Sequence, residues 1–392
     1  MTQSSPIPFF DLTRQYQSLE QDVMESLLPV LRSQHFILGP SVSDFEEKFS
    51  RTFKVKHSVG VSSGTDALIL SLVASGLRKG GGVLVPSFTF YASASAIRLA
   101  GGVPVFVDVD PDSYLLTPDI LDAYLRDRTA MNGAGVPVSS HGGIPLVGIV
   151  AVHLYGQMID MEGLAKVAKA YGLWIVEDAC QAIGATHRGH SPGVFSNAAA
   201  YSFFPTKNLG GFGDGGMITT ESAPFAEHLE RLRVHGSRKR YEHLEIGYNA
   251  RLDAIQAKVL SVKIGHLPKW TTRRQELAAR YSNAFRPLGG LGLPDPIPGF
   301  RHVFHQYTMR VEGEGRRDRL RSDLSAKGIG SEVYYPIPLH RQEAFSDLLE
   351  LTVPLPVSEK LCREVISLPI FPELSDDEQE RVIDAVHASL VK

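Results

Sequence analysis

Lys207 is the residue of this sequence with the clearest potential for covalent chemistry. It follows the apolar segment 198–204, a predicted buried strand, and precedes the glycine-rich segment 210–216. A lysine is normally solvated at the surface. In a glycine-lined site flanked by aromatic residues it loses solvation, which favours its neutral, nucleophilic amine. The pattern therefore favours a lysine that forms a Schiff base with a carbonyl group.

A second segment, 59–68, has the features of an anion-binding helix start. Its sequence, VGVSSGTDAL, runs from a strand through small residues into a helix. The backbone N–H groups of Gly64, Thr65 and Asp66 would face an anion there, and phosphate is the natural guest. The hydroxyls of Ser63 and Thr65 would add further donors. The same residues also make an ordinary helix cap, so both interpretations are open.

The third segment, 174–185, places a carboxylate at the end of a predicted strand. Glu177 and Asp178 close the apolar run WIVED, and Gln181 follows three residues later, one helical turn away on the same face. Ligands of open α/β sheets bind at the carboxyl ends of strands. An ionised Asp178 would hold a pyridine nitrogen protonated, and Gln181 would donate to the ring's phenolic oxygen. A capping aspartate beside an incidental glutamine is the alternative.

Phe90, in the segment PSFTFYASA, offers a stacking face for an aromatic ring, although a single aromatic residue beside a strand more often belongs to a core. Pyridoxal phosphate is held by four kinds of group: donors to its phosphate, an aromatic ring that stacks on it, an acid that pairs with its pyridinium nitrogen, and a lysine that forms an imine with it. The four segments together therefore predict a pyridoxal-phosphate site.

The elements that must position these residues follow an α/β pattern. Apolar, β-rich runs separated by helix-sized segments occur at 58–61, 83–86, 104–109, 146–154, 173–178 and 198–204. The stretches 66–75 and 161–171 have apolar residues at the three- and four-residue spacing of amphipathic helices. This alternation predicts a mostly parallel sheet covered by helices on both faces.

Two domains are predicted, with a boundary near residue 265. From about residue 267 the pattern changes to a charged helical stretch followed by Pro- and Gly-rich loops and mixed segments. We predict a large domain over 1–265, with an N-terminal arm, and a smaller C-terminal α/β domain over 266–392. The segment 128–145 is rich in Gly, Ser and Pro without a usable period, which predicts a mobile surface insertion.

Composition excludes several classes of protein. The 392 residues include 40 Lys and Arg against 43 Asp and Glu, a formal charge of −3, and 43% are hydrophobic. The near-neutral charge argues against broad binding to nucleic acid. The N-terminus lacks a leader pattern, and the longest apolar stretch is too short to span a bilayer. We therefore expect a cytoplasmic protein without membrane or nucleic-acid partners.

No metal site is predicted. The two cysteines lie far apart in the sequence and form neither a CxxC pair nor a disulfide framework. The histidine pairs at 187/190 and 302/305 have a spacing that metal ligands can have, but neither pair has a third ligand nearby in the sequence.

With these features in place, the sequence resembles a known family. It resembles the DegT/DnrJ/EryC1/StrS family of sugar-nucleotide aminotransferases, which are fold type I pyridoxal-phosphate enzymes with a mostly parallel mixed sheet. The stretches that carry the resemblance run nearly from end to end. They include FFDLTRQY, LGPSVSDFEEKF, SSGTDAL, VPSFTFYASA, IVEDACQAIGA, SFFPTKNLGGFGDGGMITT, GYNARLDAIQA, YYPIPLH and SLPIFPELSDDE.

The resemblance implies how the cofactor, pyridoxal 5'-phosphate, would be held. Lys207 would form the Schiff base, Asp178 would pair with the pyridine nitrogen, and Gln181 would contact the phenolic oxygen. Phe90 would stack on the ring. The phosphate would be held by Gly64, Thr65 and Ser202.

The resemblance also implies a homodimer with shared active sites. In GYNARLD, Asn249 matches the asparagine that the family contributes to the phosphate of the neighbouring subunit, which would make the dimer obligatory. Arg251 and the pair Tyr334 and Tyr335 lie where the family contacts substrate, and His235 would also approach it.

The substrate is less determined than the reaction type. Tyr334 stands where some relatives acting on 3-keto sugars place a histidine, and the basic run 238–240 is either a solvated face or a diphosphate contact. The combined motifs predict transfer of an amino group from an amino acid such as L-glutamate to a UDP-linked 3-keto sugar of the N-acetylhexosamine type. A dTDP-linked 3- or 4-keto-6-deoxysugar is the alternative.

Two other activities occur among such relatives. Some remove a sugar hydroxyl and replace the lysine with histidine, which Lys207 argues against. Others were viewed as non-catalytic regulators, and the helix predicted over 269–280 has basic residues that could touch nucleic acid. Glu276 within that helix and the overall charge of −3 argue against this role.

Overall fold

The structure, a computed structural model, describes residues 5–390. Residues 1–4 and 391–392, at the outer ends of the two predicted domains, lie outside the described residues. The helices are α1 (Leu12–Gln17), α2 (Glu20–Ser33), α3 (Pro40–Phe53), α4 (Gly64–Ala74), α5 (Tyr91–Leu99), α6 (Pro118–Arg128), α7 (Met161–Ala170), α8 (Ala223–Leu232), α9 (Ala254–Lys263), α10 (Leu267–Phe285), α11 (Arg316–Ala326), α12 (Pro356–Glu364) and α13 (Asp376–Leu390). The strands are β1 (His57–Val61), β2 (Gly82–Pro86), β3 (Val103–Val107), β4 (Thr129–Met131), β5 (Pro137–Ser139), β6 (Leu146–Val152), β7 (Trp174–Asp178), β8 (Thr186–His187), β9 (Ala198–Ser202), β10 (Gly216–Thr220), β11 (Ser237–Lys239), β12 (Glu242–His243), β13 (Leu291–Gly292), β14 (Phe300–Arg301), β15 (Tyr307–Val311) and β16 (Val365–Leu368).

A seven-stranded mixed sheet with the order β1-β10-β9-β7-β6-β2-β3 positions the site residues. The pairs from β9 to β3 are parallel, whereas β10 runs antiparallel to both β1 and β9. The predicted mostly parallel α/β sheet is thus confirmed. The six predicted apolar runs coincide with its parallel strands and β1, and the two predicted helices coincide with α4 and α7.

Each strand of the sheet is buried on both faces. In β6, Val150 and Val152 pack in one cluster with α4, α5 and α8, whereas Ile149 and Ala151 pack in another with α6 and α7. Because successive side chains point to opposite faces, a strand covered on both sides is expected to be mostly apolar. This explains the uninterrupted run LVGIVAV in β6.

A smaller antiparallel sheet, β13-β15-β16, follows in the C-terminal part of the chain and packs with α10, α11 and α13. The N-terminal arm packs in the same core cluster and bonds to the segment after α11: the Ile7 N–H donates to Gly328 O at 2.8 Å, and the Gly330 N–H donates to Ile7 O at 2.8 Å. The predicted domain boundary falls in the turn between α9 and α10 and stays a prediction. Within residues 5–390, no helix has both the length and the apolar character needed to cross a bilayer.

The segment 128–145, predicted to be an insertion without regular structure, contains a β-hairpin. Its strands β4 and β5 pair antiparallel, from Thr129 opposite Ser139 to Met131 opposite Pro137. The Asn132 side-chain oxygen accepts the N–H groups of residues 134 and 136, at 2.9 and 3.0 Å, and closes the turn. The prediction missed the hairpin because a polar turn and three-residue strands give no apolar alternation.

Candidate active site

A cavity of about 450 Å³ lies where β6, β7 and β9 end, with Val152, Asp178 and Ser202 in its wall. This position agrees with the rule that ligands bind at the carboxyl ends of parallel strands. Most of the predicted site residues line the same cavity, although they come from distant parts of the sequence. They are Gly64, Thr65, Phe90, Asp178, Gln181, Ser202, Lys207, Tyr334 and Tyr335.

Lys207 is presented by a tight turn after β9. The Lys207 N–H donates to Phe204 O at 2.8 Å, and the chain then folds back so closely that a Cβ at Gly210 would lie 2.2 Å from Pro205 O. Glycine is therefore required in the segment behind the lysine. Burial lowers the pKa of Lys207 below the ordinary 10.5, while Cys180 and Asp178 act in the opposite direction.

The start of α4 offers free donors to the cavity. The first intrahelical bond runs from the Ala67 N–H to Ser63 O, so the N–H groups of Gly64 and Thr65 have no acceptor within the helix. A Cβ at Gly64 would lie 2.6 Å from Ser202 Cβ, so only glycine lets the helix start approach the end of β9. These two N–H groups and the adjoining hydroxyls form a site suited to a phosphate.

Two residues of the predicted anion site have a structural role at the start of α4. The Asp66 N–H donates to Ser63 Oγ at 3.0 Å, and the hydroxyls of Ser62 and Ser63 donate to Asp66 Oδ2 at 2.6 and 2.9 Å. Ser63 and Asp66 therefore form the helix cap, the alternative that the sequence left open. The cap fixes the direction of the helix start, which leaves Gly64 and Thr65 to face the cavity.

Asp178 closes the floor of the cavity and is almost completely buried. Its Oδ2 accepts a hydrogen bond from Ser93 Oγ at 2.7 Å, and its Oδ1 accepts one from the Cys180 N–H at 3.1 Å. A buried carboxylate with a donor on each oxygen is held in one orientation. This is the arrangement that a protonated pyridine nitrogen requires.

Gln181 lies in a turn rather than in the helix expected after β7. The turn still brings it to the cavity, where its Oε1 accepts the Tyr155 N–H at 2.8 Å and its Nε2 donates to Tyr335 Oη at 2.9 Å. Burial raises the pKa of Tyr335 far above its ordinary value, so this phenol stays neutral. The expected helical spacing was wrong because Gln181 bonds to Tyr155 and Tyr335 of other segments instead of continuing a helix.

Phe90 is 52% exposed and lines the cavity, so it is not a core residue. It caps the start of α5, and its ring centroid lies 6.1 Å from that of Tyr335. A half-exposed aromatic ring at the mouth of a cavity is available to stack on a flat ligand.

Several residues of the cavity were not predicted. Phe9 and Phe10, from the N-terminal arm, and His305 and Gln306, from the segment before β15, complete its wall. His305 Nδ1 bonds to the side-chain oxygen of Asn208, the residue that follows Lys207, at 3.1 Å. These contacts join distant segments, and no periodicity in the sequence signals them.

One histidine of each predicted pair is a packing residue. His187 stacks on Phe300 with ring centroids 4.1 Å apart, and His302 stacks on Phe304 at 3.9 Å. Burial lowers the pKa of His302 to about 3, which keeps the ring neutral. In the part of the chain that the structure describes, no group of three or more His, Cys, Asp or Glu side chains is arranged to hold a metal ion.

Three predicted site residues are not part of this cavity lining. Asn249 and His235 are exposed, and Arg251 is half-buried. All three lie in the segment that crosses from α8 to α9, in which Ile246 is 92% exposed. The fold of one chain thus does not bring them to the cavity that it builds.

The chain was compared with known proteins. The sequence pattern of the DegT/DnrJ/EryC1/StrS aminotransferase family matches residues 17–387. A "Pleiotropic regulatory protein" of Geobacillus stearothermophilus is 42% identical over 97% of both chains. The dTDP-3-amino-3,4,6-trideoxy-alpha-D-glucose transaminase of Streptomyces venezuelae is 41% identical over 97% of this chain and 95% of the relative.

Two further matches extend over whole chains. The UDP-N-acetyl-3-dehydro-alpha-D-glucosamine 3-aminotransferase of Acidithiobacillus ferrooxidans is 38% identical over the full length of both proteins. The crystal structure of S. venezuelae DesV, solved with a ketimine intermediate, superimposes with a TM-score of 0.91 at 40% identity and covers 99% of this chain and all of that one. The fold type I architecture is therefore confirmed.

The cavity fits pyridoxal 5'-phosphate on its own geometry. The glycine-lined start of α4 leaves two N–H donors for the phosphate, the buried Asp178 carboxylate faces the same space, and the amine of Lys207 is desolvated at its wall. The chain therefore belongs to the DegT/DnrJ/EryC1/StrS aminotransferase family and is a pyridoxal 5'-phosphate-dependent sugar-nucleotide aminotransferase.

Proposed function

We propose that this enzyme aminates the C3 ketone of a UDP-linked sugar of the N-acetylhexosamine type, with L-glutamate as the amino donor. The observation that carries the proposal is the full-length match to a relative named for 3-amination of a UDP-N-acetyl sugar. The S. venezuelae relative, named for a dTDP-linked 3-amino sugar, favours the alternative, a dTDP-linked keto-deoxysugar. Both names place nitrogen at C3.

Tyr334 supports an uncharged sugar ring. Its phenol lines the cavity, and burial raises its pKa above the ordinary 10.0, with Glu332 adding to the effect. The phenol is therefore neutral near pH 7 and provides no cation to pair with a carboxylate. A uronic acid buried next to this phenol would gain no charge partner from it, which costs free energy.

Different residues of this chain have different roles in the proposed amino transfer. Bound pyridoxal 5'-phosphate supplies an electron sink for the donor's Cα. Asp178 would keep the pyridine nitrogen protonated, and Gly64 and Thr65 would hold the phosphate by their N–H groups. The Lys207 amine would carry the cofactor at rest and, once freed, would move a proton between the donor's Cα and the cofactor's C4′.

We also propose that the active unit is a homodimer with shared sites. Asn249 is exposed and lies outside the cavity of its own chain, which is what a residue that serves a partner's phosphate requires. The aromatic side chains Phe90, Phe204 and Phe212 are about half exposed around the active-site segments. A second copy would cover this apolar surface and bring Arg251 and His235 to substrate.

The substrate proposal predicts the outcome of a reverse reaction. With 2-oxoglutarate as acceptor, the enzyme should form glutamate from UDP-linked 3-amino-N-acetylhexosamines at least about tenfold faster than from their 4-amino isomers, because one misplaced contact costs about that factor. The measurement is the glutamate formed, across a matched panel of UDP- and dTDP-linked 3-amino and 4-amino sugars. Turnover of the 4-amino compounds alone would refute C3 amination. A clear preference for dTDP compounds would select the alternative.

The lowered pKa of Lys207 predicts a pH dependence for cofactor uptake. Attachment needs the neutral amine, whose fraction rises as the pH passes the pKa of the lysine. Because burial lowers that pKa below 10.5, uptake by cofactor-free enzyme should reach half its maximal rate at a lower pH than the reaction of a free lysine amine. The visible absorbance after mixing measures the rate, with Nα-acetyl-lysine as the reference amine. A midpoint equal to that of the reference would contradict a desolvated lysine.

A further inference from the structure

Asp178 is held by a side chain from an element other than its own. Ser93, in the first turn of α5, lies 85 residues before Asp178 in the sequence and donates its hydroxyl to Oδ2 at 2.7 Å. Ser93 is completely buried, so water cannot replace this hydroxyl. The bond leaves helix α5 and crosses to the end of β7, and its length is that of a well-formed hydrogen bond between two oxygens.

The bond to Ser93 is backed by a second hydroxyl. Thr89 Oγ1 lies 3.2 Å from Ser93 Oγ, and Thr89 is also buried. Ser93 has one hydroxyl hydrogen, which it donates to Asp178. The hydrogen between Thr89 and Ser93 must therefore come from Thr89. The result is a directed chain, Thr89 to Ser93 to Asp178, in which each bond polarises the next.

We propose that Ser93 is a positioning residue that holds the Asp178 carboxylate oriented toward the cofactor's pyridine nitrogen, with Thr89 reinforcing it. The inference rests on the proposed placement of Asp178 at that nitrogen. A carboxylate has about two acceptor sites on each oxygen. Ser93 takes one on Oδ2 and the Cys180 N–H takes one on Oδ1, which leaves the outward sites for the ring.

Loss of the Ser93 hydroxyl would leave Oδ2 buried with one donor fewer. The carboxyl group then keeps only the bond from the Cys180 N–H and is free to rotate about it. The pyridine nitrogen would hold its proton less firmly. The effect should therefore appear in the cofactor's own spectrum, before any substrate is added.

The test compares holoenzymes of Ser93→Ala, Ser93→Thr and Ser71→Ala. Ser71 is the matched control, because it is also completely buried in a helix but donates its hydroxyl to Ala67 O of the same helix, at 2.7 Å. Three quantities are measured: the visible absorbance of the bound cofactor as a function of pH, the rate at which cofactor is lost on dialysis, and kcat and KM separately.

For Ser93→Ala we expect a shift in the pH at which the absorbance of the bound cofactor changes. We also expect the rate of cofactor loss to rise about tenfold. The value of kcat should fall about 10- to 100-fold, as for a lost hydrogen bond to a charged group. The KM for the nucleotide sugar should stay within about twofold of the parent value, since Ser93 does not line the cavity. Ser93→Thr keeps a hydroxyl and should restore the spectrum. Ser71→Ala should leave all three quantities unchanged.

A spectrum and a rate of cofactor loss for Ser93→Ala equal to those of Ser71→Ala would overturn the inference. If Ser93→Ala fails to fold, Thr89→Val provides the test instead. This variant removes the hydroxyl that donates to Ser93, and it should shift the absorbance in the same direction by a smaller amount. No shift in that variant would also overturn it. Asp178→Asn tests the placement of Asp178 separately from the role of Ser93. If the spectrum of this variant matches that of the parent enzyme, the proposed placement of Asp178 is wrong, whatever the Ser93 variants show.

Discussion

Replacing Lys207 with alanine is expected to abolish turnover and covalent attachment of the cofactor. Lys207 lies in the cavity wall, and in the proposed mechanism its desolvated amine is both the attachment point and the base that moves the proton. Removing a nucleophile and a general base together should lower kcat by more than about 1,000-fold. The measurements are the visible band of the purified protein, the adduct trapped by borohydride, and glutamate-dependent turnover.

Two other lysines make this experiment specific. Lys263 is also buried, but its Nζ donates to Gly210 O at 2.6 Å, and it does not line the cavity. Lys48 donates to Ser261 O at 2.7 Å and is likewise not part of the cavity lining, so Lys48→Ala is the control that removes a lysine without touching the site. A borohydride-trapped adduct that persists in Lys207→Ala would show that another lysine holds the cofactor, and the assignment of Lys207 would be wrong.

The turn that carries Lys207 illustrates what sequence can predict. The strand before it, AAAYS, is apolar because both faces of the sheet are covered, and the glycines after it are needed for a close backbone approach. Both signals are local, and each has a steric or solvation cause. The same holds for the glycine and threonine at the start of α4, because one short motif provides both N–H donors.

Strand β10 has no local sequence signal that predicts it. Its sequence, GMITT, includes two threonines, so it does not have the apolar character of the other strands, yet all five residues are buried. Thr219 and Thr220 donate their hydroxyls to Pro192 O and Asn197 O, which satisfies polar groups inside the sheet. Those partners lie more than twenty residues away, and only the fold brings them close. The strand was therefore not predicted.

The same limit applies to the site itself. The sequence predicts the groups that would face the cofactor, because their chemical types are distinctive. It does not predict Ser93, which holds Asp178, or Phe9 and His305, which complete the wall, because their types are common and their contacts are long-range. The helix expected around Gln181 was wrong for a related reason, since bonds to Tyr155 and Tyr335 override local propensity.

A mixed dimer should recover activity that neither parent has. Lys207→Ala removes the amine from the cavity of its own chain. Asn249→Asp places a carboxylate where the proposed partner site binds phosphate, and like-charge repulsion in a partly buried site should lower activity by about 100-fold. If Asn249 serves the neighbouring site, a dimer containing one chain of each variant has one site with both residues intact and one with both changed. Since random exchange makes about half of the dimers mixed, about a quarter of the parent activity should return.

The control for this experiment pairs Lys207→Ala with Asp178→Asn. Both residues line the cavity of a single chain, so every site in a mixed dimer lacks one of them and no activity should return. Subunit exchange is confirmed first by mass-tagged chains, and glutamate-dependent turnover is then followed with mixing time. Recovery with Asn249→Asp and none with Asp178→Asn places Asn249 across the interface from Lys207. Equal absence of recovery in both mixtures, after exchange is complete, would mean that each chain builds its site alone, and the exposed position of Asn249 would then need another explanation.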